Sequence, residues 1–539
     1  MVTPVPDTPL LIRGATVVDG TGAAGYPADV TIHHGRIDKI GTPADPGSAA
    51  VLEADGLVLC PGFIDMHAHS DLAVVADQHH LAKVGQGVTC EVLGQDGIGY
   101  APVTDAAVPG IRKQIAGWNG HSELEIEWRT MAEYLAVLDR GTATNTAVLV
   151  PQGNLRILAL GHENRPATPA ELDTMGTLLA ESLAAGAVGL SSGLTYTPGM
   201  YADTAELTAL CRVVADMGGF YAPHTRSYGR SALDAYAEVI GIARESGCGL
   251  HLTHATLNFA SNADSAPAFL AMIDAALADG VDLTLDSYPY LPGATTLAAL
   301  LPSQLAAGGP DALLARLESG KHREELVNAF DVTGCDGFHG EIADWSAIEV
   351  SGVTAPELAT YVGQTIAQIA RESGEDPTDT VVRILLTDHL ATGILMHVGH
   401  EHNVRAVMQH PQHCGGSDGI LVGARPHPRA WGTFPRYLSH YSRETGVLAL
   451  EETIRHLTGT PARRLRLTDR GLVREGYAAD LVLFDPEGIR DNATFEHPRM
   501  SPSGIRAVLV AGQLTVDNGI RTTAVAGQAL RPLGQPNQP

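Results

Sequence analysis

Two hydrophobic periodicities alternate along this chain, and their order predicts its architecture. Residues 9 to 59 carry short apolar runs, Leu10–Ile12, Ala15–Val18, Val30–Ile32 and Val51–Glu53, separated by Gly and Asp-Gly turns, as strands joined by tight turns would be. Near the other end, Ala479–Phe484 and Ile505–Val510 have the same character. Residues 1–60 and 465–530 are therefore expected to build one small β-sandwich from both chain ends, with the remainder inserted between them.

In that remainder, short apolar runs alternate with stretches in which apolar residues recur every three and four positions, the pattern of βαβ units. Strand candidates are the run ending at His67, then Val88–Leu93, Thr146–Val150, Ala187–Leu190, Gly219–His224, Leu250–His254, Leu283–Asp286 and Cys414–Asp418. Helical patterns lie between several of them, at Pro169–Ala185, Thr204–Met217, Arg230–Ser246 and Ala266–Ala278. The fold class that follows is α/β, a (β/α)8 barrel over residues 61–464. One long interval, about 295–413, has helical patterns of its own and is expected to form an insert or lid over the barrel mouth. The Pro/Gly/Gln-rich tail, 531–539, is expected to be disordered.

Such a barrel collects its reactive side chains at the C-terminal ends of its strands. The sequence places His67, His69, His224, His254 and Asp418 there, with Asp96 just past the second strand. His67 and His69 are two apart, so both imidazoles leave the strand on one side. Imidazoles and carboxylates suit zinc and its neighbours, and the set reads as a one- or two-metal hydrolytic site. Taken singly the residues have plainer roles, His224 and His254 as interior histidines and Asp96 as a turn residue before Gly97. A second cluster, His397, His400 and His402, falls in a polar helix-forming stretch and reads as ordinary exposed histidines.

Composition narrows the partners. The 539 residues are 44% hydrophobic and 18% charged, which permits a large core, and the net charge of −26 argues against nucleic acid or an anionic membrane as partner. The N-terminus has no signal-like pattern and no stretch reaches the roughly 20 apolar residues of a spanning helix, so a cytoplasmic protein acting on a small molecule is expected. Oligomeric state is not readable. Six cysteines lie far apart without a C-x-x-C, as reduced, mostly buried thiols would. Cys90 and Cys414 are expected to pack beside the site.

The stretch Pro61-Gly62-Phe63-Ile64-Asp65-Met66-His67-Ala68-His69-Ser70-Asp71 resembles the opening signature of the amidohydrolase superfamily. Gly186–Tyr196, His224-Thr225-Arg226, Tyr288-Pro289-Tyr290, Gly416-Ser417-Asp418-Gly419 and His427–Arg436 are similar to motifs of its D-aminoacylase (N-acyl-D-amino-acid deacylase) branch, from about Leu10 to Asp517 and in the same order. The resemblance implies that His67 and His69 hold one metal position and His224 and His254 the other. It implies a bridging ligand after the second strand and Asp418 as general base and acid in amide hydrolysis by metal-activated water. This chain has Asp96 where that branch carries a cysteine. Its four lysines, Lys39, Lys83, Lys113 and Lys321, include none at a predicted strand end to serve as a carboxylated bridge. Zinc, one or two ions, is the expected cofactor, with Mn2+, Co2+ or Fe2+ open to a harder carboxylate site. For substrate binding the resemblance implies Tyr288 and Arg429, but Thr256 replaces a lysine and Ala294 a serine. Arg226 either touches substrate or orients a loop. Cyclic amide or imide hydrolysis, a peptidase-like role on modified natural products and a non-catalytic scaffold are the rival readings.

Overall fold

The computed structural model describes residues 2–3, 7–41, 47–120 and 122–531. Eight parallel strands, β1 (Phe63–Asp65), β2 (Val88–Leu93), β3 (Asn145–Pro151), β4 (Gly189–Gly193), β5 (Phe220–His224), β6 (Gly249–Leu252), β7 (Leu283–Ser287) and β8 (His413–Gly415), pair in that order. The ring closes where Met66 N donates to Gly415 O, Asp418 N donates to His67 O and Ala68 bridges Gly419. Closure thus brings Asp418 beside the first histidine pair. Every residue of β2 and β3 is buried, as strands covered on both faces must be.

Local signals fix the helices. Pro169–Ala185 opens with a capping box between Thr168 and Glu171, places Pro169 at its first turn and stops at Gly186, whose φ of +122° suits glycine. Met175, Leu179, Ser182 and Leu183 form its buried stripe. The next helices, Thr204–Asp216, Ala232–Ser246 and Ala266–Ala278, follow the sequence pattern, except that Ala232–Ser246 starts two residues later than predicted, beyond Gly229. No helix among the described residues is long and apolar enough to cross a membrane.

The chain ends form a nine-stranded sheet. Its seam is the antiparallel pairing of Val58–Pro61 with Leu481–Phe484. Period-two alternation divides the two faces. Leu59, Leu481 and Leu483 share a core with Ile12, Val30, Ile37 and Leu509, so the sheet curls over its own interior. Val58, Cys60, Val482 and Phe484 face the barrel side, in one cluster with Phe63 and Phe434. The Phe63 and Phe434 rings stack at 5.6 Å, a contact worth about 1 kcal/mol beyond its buried area.

Between β7 and β8 an excursion builds a three-stranded antiparallel sheet, Gly393–Met396 between Gly293–Thr296 and Ile348–Gly352, with a core of its own that includes Leu297, Phe330, Trp345 and Ile384. It ends earlier than the expected 413, because the following helix, Glu401–Met408, sends Val407 into the barrel core. Arg531, at the start of the expected tail, pairs with Asp139 at 2.6 Å. Residues 532–539 lie outside the described residues.

Candidate metal centre

Four imidazoles surround one carboxylate at the barrel mouth. Asp96 Oδ1 lies 3.5 Å from His67 Nε2 and 3.4 Å from His254 Nε2, and Oδ2 lies 3.6 Å from His69 Nε2 and 3.5 Å from His224 Nδ1. His224 Nδ1 and His254 Nε2 are 3.0 Å apart. Asp418 Oδ1 is 3.1 Å from His69 Nε2 and 3.8 Å from His67 Nε2. Two overlapping triads, His67 with Asp96 and His254, and His67 with His69 and Asp418, each bring their ligand atoms within 4.8 Å of one another.

The backbone is bent to achieve this. Asp96, His254 and Asp418 have φ of +55°, +30° and +47°, a region that costs non-glycine residues on the order of 1–3 kcal/mol each. Buried hydrogen bonds hold these bends. Asp71 Oδ1 accepts from Gly94 N at 2.8 Å, and Ser191 Oγ donates to Gly94 O at 2.5 Å while accepting from Gly97 N. Asp286 Oδ1 accepts from His254 N at 2.8 Å. A Cβ on Gly193 would stand 2.1 Å from Asp96 O, so β4 must end in glycine for this loop to fit.

Below this rim lies a second ionic layer that the sequence reading left without a role. Lys83 is fully buried, and its Nζ donates to Asp65 Oδ2 at 2.6 Å and Ser417 Oγ at 2.8 Å, with Glu91 Oε2 3.6 Å away. Asp65 Oδ1 in turn accepts from His67 N and Ser417 N, joining the backbones that carry His67 and Asp418. Lys83 sits on a short helix before β2, where no spacing rule points to the barrel interior. Asp286 was visible as a strand-end carboxylate, but nothing in the sequence showed that it serves backbone rather than metal.

Charge states follow from this packing. Burial pushes His67 down to about 4, keeping the imidazole neutral. Burial also opposes charge on His254, but Asp96 outweighs it and raises that imidazole to about 9. The Asp418 carboxyl is pushed up by burial and pulled down more strongly by the Arg429 guanidinium and the hydrogen bond to His69, ending well below the usual range.

A cavity of about 630 Å³ opens over these groups. Its wall includes the predicted Tyr288 and Thr256, the substituted Ala294, and residues sequence reasoning missed, among them Trp118, Tyr196, Tyr228 and the excursion's His339 and Met396. Arg226 does not reach it: Nε pairs with Glu238 at 2.8 Å and the other nitrogens donate to Met200 O and Ala202 O. The open choice for this residue falls to fastening a loop. Arg429 lies one layer behind the wall, fully buried, 4.3 Å above the Tyr288 ring centroid, with Nη2 2.8 Å from Asp418 Oδ2. His397 pairs with Glu349, His400 donates to Phe259 O and His402 contacts Ala263 O, away from the centre. Cys90 and Cys414 are buried free thiols.

Comparison with known proteins agrees with this geometry. An amidohydrolase family model matches residues 50–516. The chain belongs to the amidohydrolase family. It is 32% identical to the D-aminoacylase of Alcaligenes xylosoxydans xylosoxydans over 97% of both chains, and 35% identical to that organism's N-acyl-D-glutamate deacylase over 93% of this chain and 92% of the relative. A solved N-acyl-D-glutamate deacylase from Bordetella bronchiseptica, complexed with zinc and a phosphonate inhibitor, superposes with a TM-score of 0.82 at 31% identity, covering 98% of this chain and 100% of that one.

The amidohydrolase donor set fits a cation on its own evidence. His67 Nε2 and Asp96 Oδ1 are buried without a hydrogen-bond partner among the described residues, a cost of about 1–3 kcal/mol per group that a bound metal would remove. Thr195 Oγ1 sits 2.7 Å from His224 Nε2, fixing the ring and leaving Nδ1 for the centre.

Proposed function

We propose that this amidohydrolase removes the acyl group from N-acyl-D-amino acids with neutral side chains. The observation that carries the reading is Asp96 within 3.4–3.6 Å of all four imidazoles, with Asp418 beside them. One or two divalent cations, zinc before manganese, cobalt or iron, would be held by His67, His69, Asp96, His224 and His254 and would polarise the scissile carbonyl and acidify water.

The chain's own residues do the rest. Asp418 takes a proton from the attacking water and returns it to the departing amine, which must leave protonated. Arg429 keeps that carboxylate ionised until it is needed. Its Nε and Nη1 have no hydrogen-bond partner among the described residues, so donors remain to draw the substrate carboxylate toward Tyr288, with Thr256 adding a hydroxyl. No lysine or arginine is on the described cavity wall, so a second substrate carboxylate would be desolvated without a cation.

Cyclic amide hydrolysis is less well supported, because Lys83 is committed below the rim and no lysine stands at a strand end. A non-catalytic scaffold does not account for four imidazoles gathered around Asp96. Amine release from matched N-acetyl-D- and N-acetyl-L-amino acids tests the proposal. Turnover of N-acetyl-D-leucine above N-acetyl-D-glutamate supports it, and turnover confined to L-substrates or cyclic imides overturns it.

A further inference from the structure

A second cavity, of about 650 Å³, adjoins the metal-site cavity and shares Trp118, Thr195, Tyr196 and Ala299 with it. Loop residues after β2 and β4 frame it on one side, and the excursion between β7 and β8 on the other. Ile115, Met200, Leu301, Leu313 and Leu390 give it an apolar lining, with no charged side chain among the described residues. A mostly apolar wall with a few polar groups suits the hydrocarbon part of a small-molecule ligand. Gln114 Oε1 is buried there without a hydrogen-bond partner, while its Nε2 donates to Thr197 O.

The position of this chamber says which part of a substrate it would take. Trp118 and Tyr196 meet edge to face at 4.6 Å, and each flanks a metal-site imidazole: Trp118 is 5.5 Å from His69 and Tyr196 is 4.7 Å from His224. The carboxylate anchors Thr256, Tyr288 and Arg429 follow β6, β7 and β8. The chamber's aromatic threshold follows β2 and β4, on the other side of the centre. With the scissile carbonyl at the centre and the amino-acid carboxylate drawn toward Tyr288, the acyl substituent points toward Trp118 and Tyr196.

We propose that this chamber binds the acyl chain, and that the protein prefers apolar acyl groups of about six to eight carbons over acetyl. The inference rests on the deacylase reading above. Each methylene moved from water into the chamber would raise kcat/KM about fourfold until it is filled.

The test is a series of N-acetyl-, N-butyryl-, N-hexanoyl- and N-octanoyl-D-leucine given to the metal-loaded protein, beside an N-acetyl series with lengthening D-side chains. Calorimetric binding of the same compounds is measured in parallel. The expected result is a stepwise rise in kcat/KM and affinity with acyl length, lost in Ala306→Phe, which fills the chamber away from the centre. If that variant does not fold by thermal melting, Ala298→Leu serves the same purpose. A flat or falling acyl series with acetyl turned over overturns the proposal while leaving deacylation intact, and so does a rise confined to the side-chain series. Tighter binding of longer acyl chains without turnover of any compound supports the chamber and defeats the deacylase reading.

Discussion

Arg429 Nη2 stands 2.8 Å from Asp418 Oδ2, and both groups are buried. The cation proposed to draw in the substrate carboxylate is therefore the group that holds the proposed general base ionised. Arg429→Met should let the Asp418 carboxyl rise, moving the acid limb of the kcat/KM profile to higher pH as well as raising KM. An unmoved limb would show that the guanidinium does not govern this carboxylate.

Asp418→Asn removes the proton carrier and keeps the shape. Turnover should fall by about 10²–10⁴-fold while metal content stays that of the parent protein, measured by elemental analysis of the purified variant. Comparable turnover would remove Asp418 from the mechanism.

Thr195 Oγ1 contacts His224 Nε2, on the ring edge away from Asp96. Thr195→Val should weaken metal binding by about 10–100-fold with little change in thermal stability, read by competition with a chromophoric chelator. Parent-like affinity would mean that the 2.7 Å contact does not orient the ring.

Metal uptake should release a proton, because His254 is raised to about 9 and must be neutral to act as a ligand. Below that value affinity should climb with pH, approaching tenfold per unit, and calorimetry in buffers of different ionisation heat should reveal the released proton. A pH-independent affinity between 6.5 and 8.5 would contradict the shift.

The buried Lys83 layer predicts an acid-labile fold. Burial raises the Glu91 carboxyl, but His80 and Lys83 outweigh it and bring it down to about 2 from 4.5. A carboxyl depressed on folding stabilises the protein above its unfolded value, and that contribution, on the order of 3 kcal/mol, is lost as pH falls from 4.5 toward 2. Lys83→Met leaves Asp65 without its cation, while Glu91 keeps His80 at 2.8 Å, and should cost about 3–5 kcal/mol in urea unfolding at neutral pH. A loss below 1 kcal/mol would show that the layer is not held by charge.

What could be read from the chain alone depended on the range of each signal. The eight barrel strands, the capped helix at Pro169–Ala185 and the two-ended sheet rest on periodicities and turns a few residues long. The ligand candidates share one address, the C-terminal ends of strands. Lys83, Trp118 and His339 had no such address: they come from two short helices, Leu81–Val84 and Ala116–Asn119, and from the excursion, and reach the site only because of how those segments pack.

The sequence by itself determined which side chains the barrel rim would hold, because strand alternation and the order of βαβ units are local properties. Only the tertiary structure decided how those side chains divide the work. Ring closure set Asp418 against His69, the left-handed turn at Asp96 aimed one carboxylate at four imidazoles, the ion pair with Glu238 left Arg226 fastening a loop, and burial set Arg429 against Asp418. Those outcomes depend on long-range contacts and on desolvation, which arise only when distant segments share one interior.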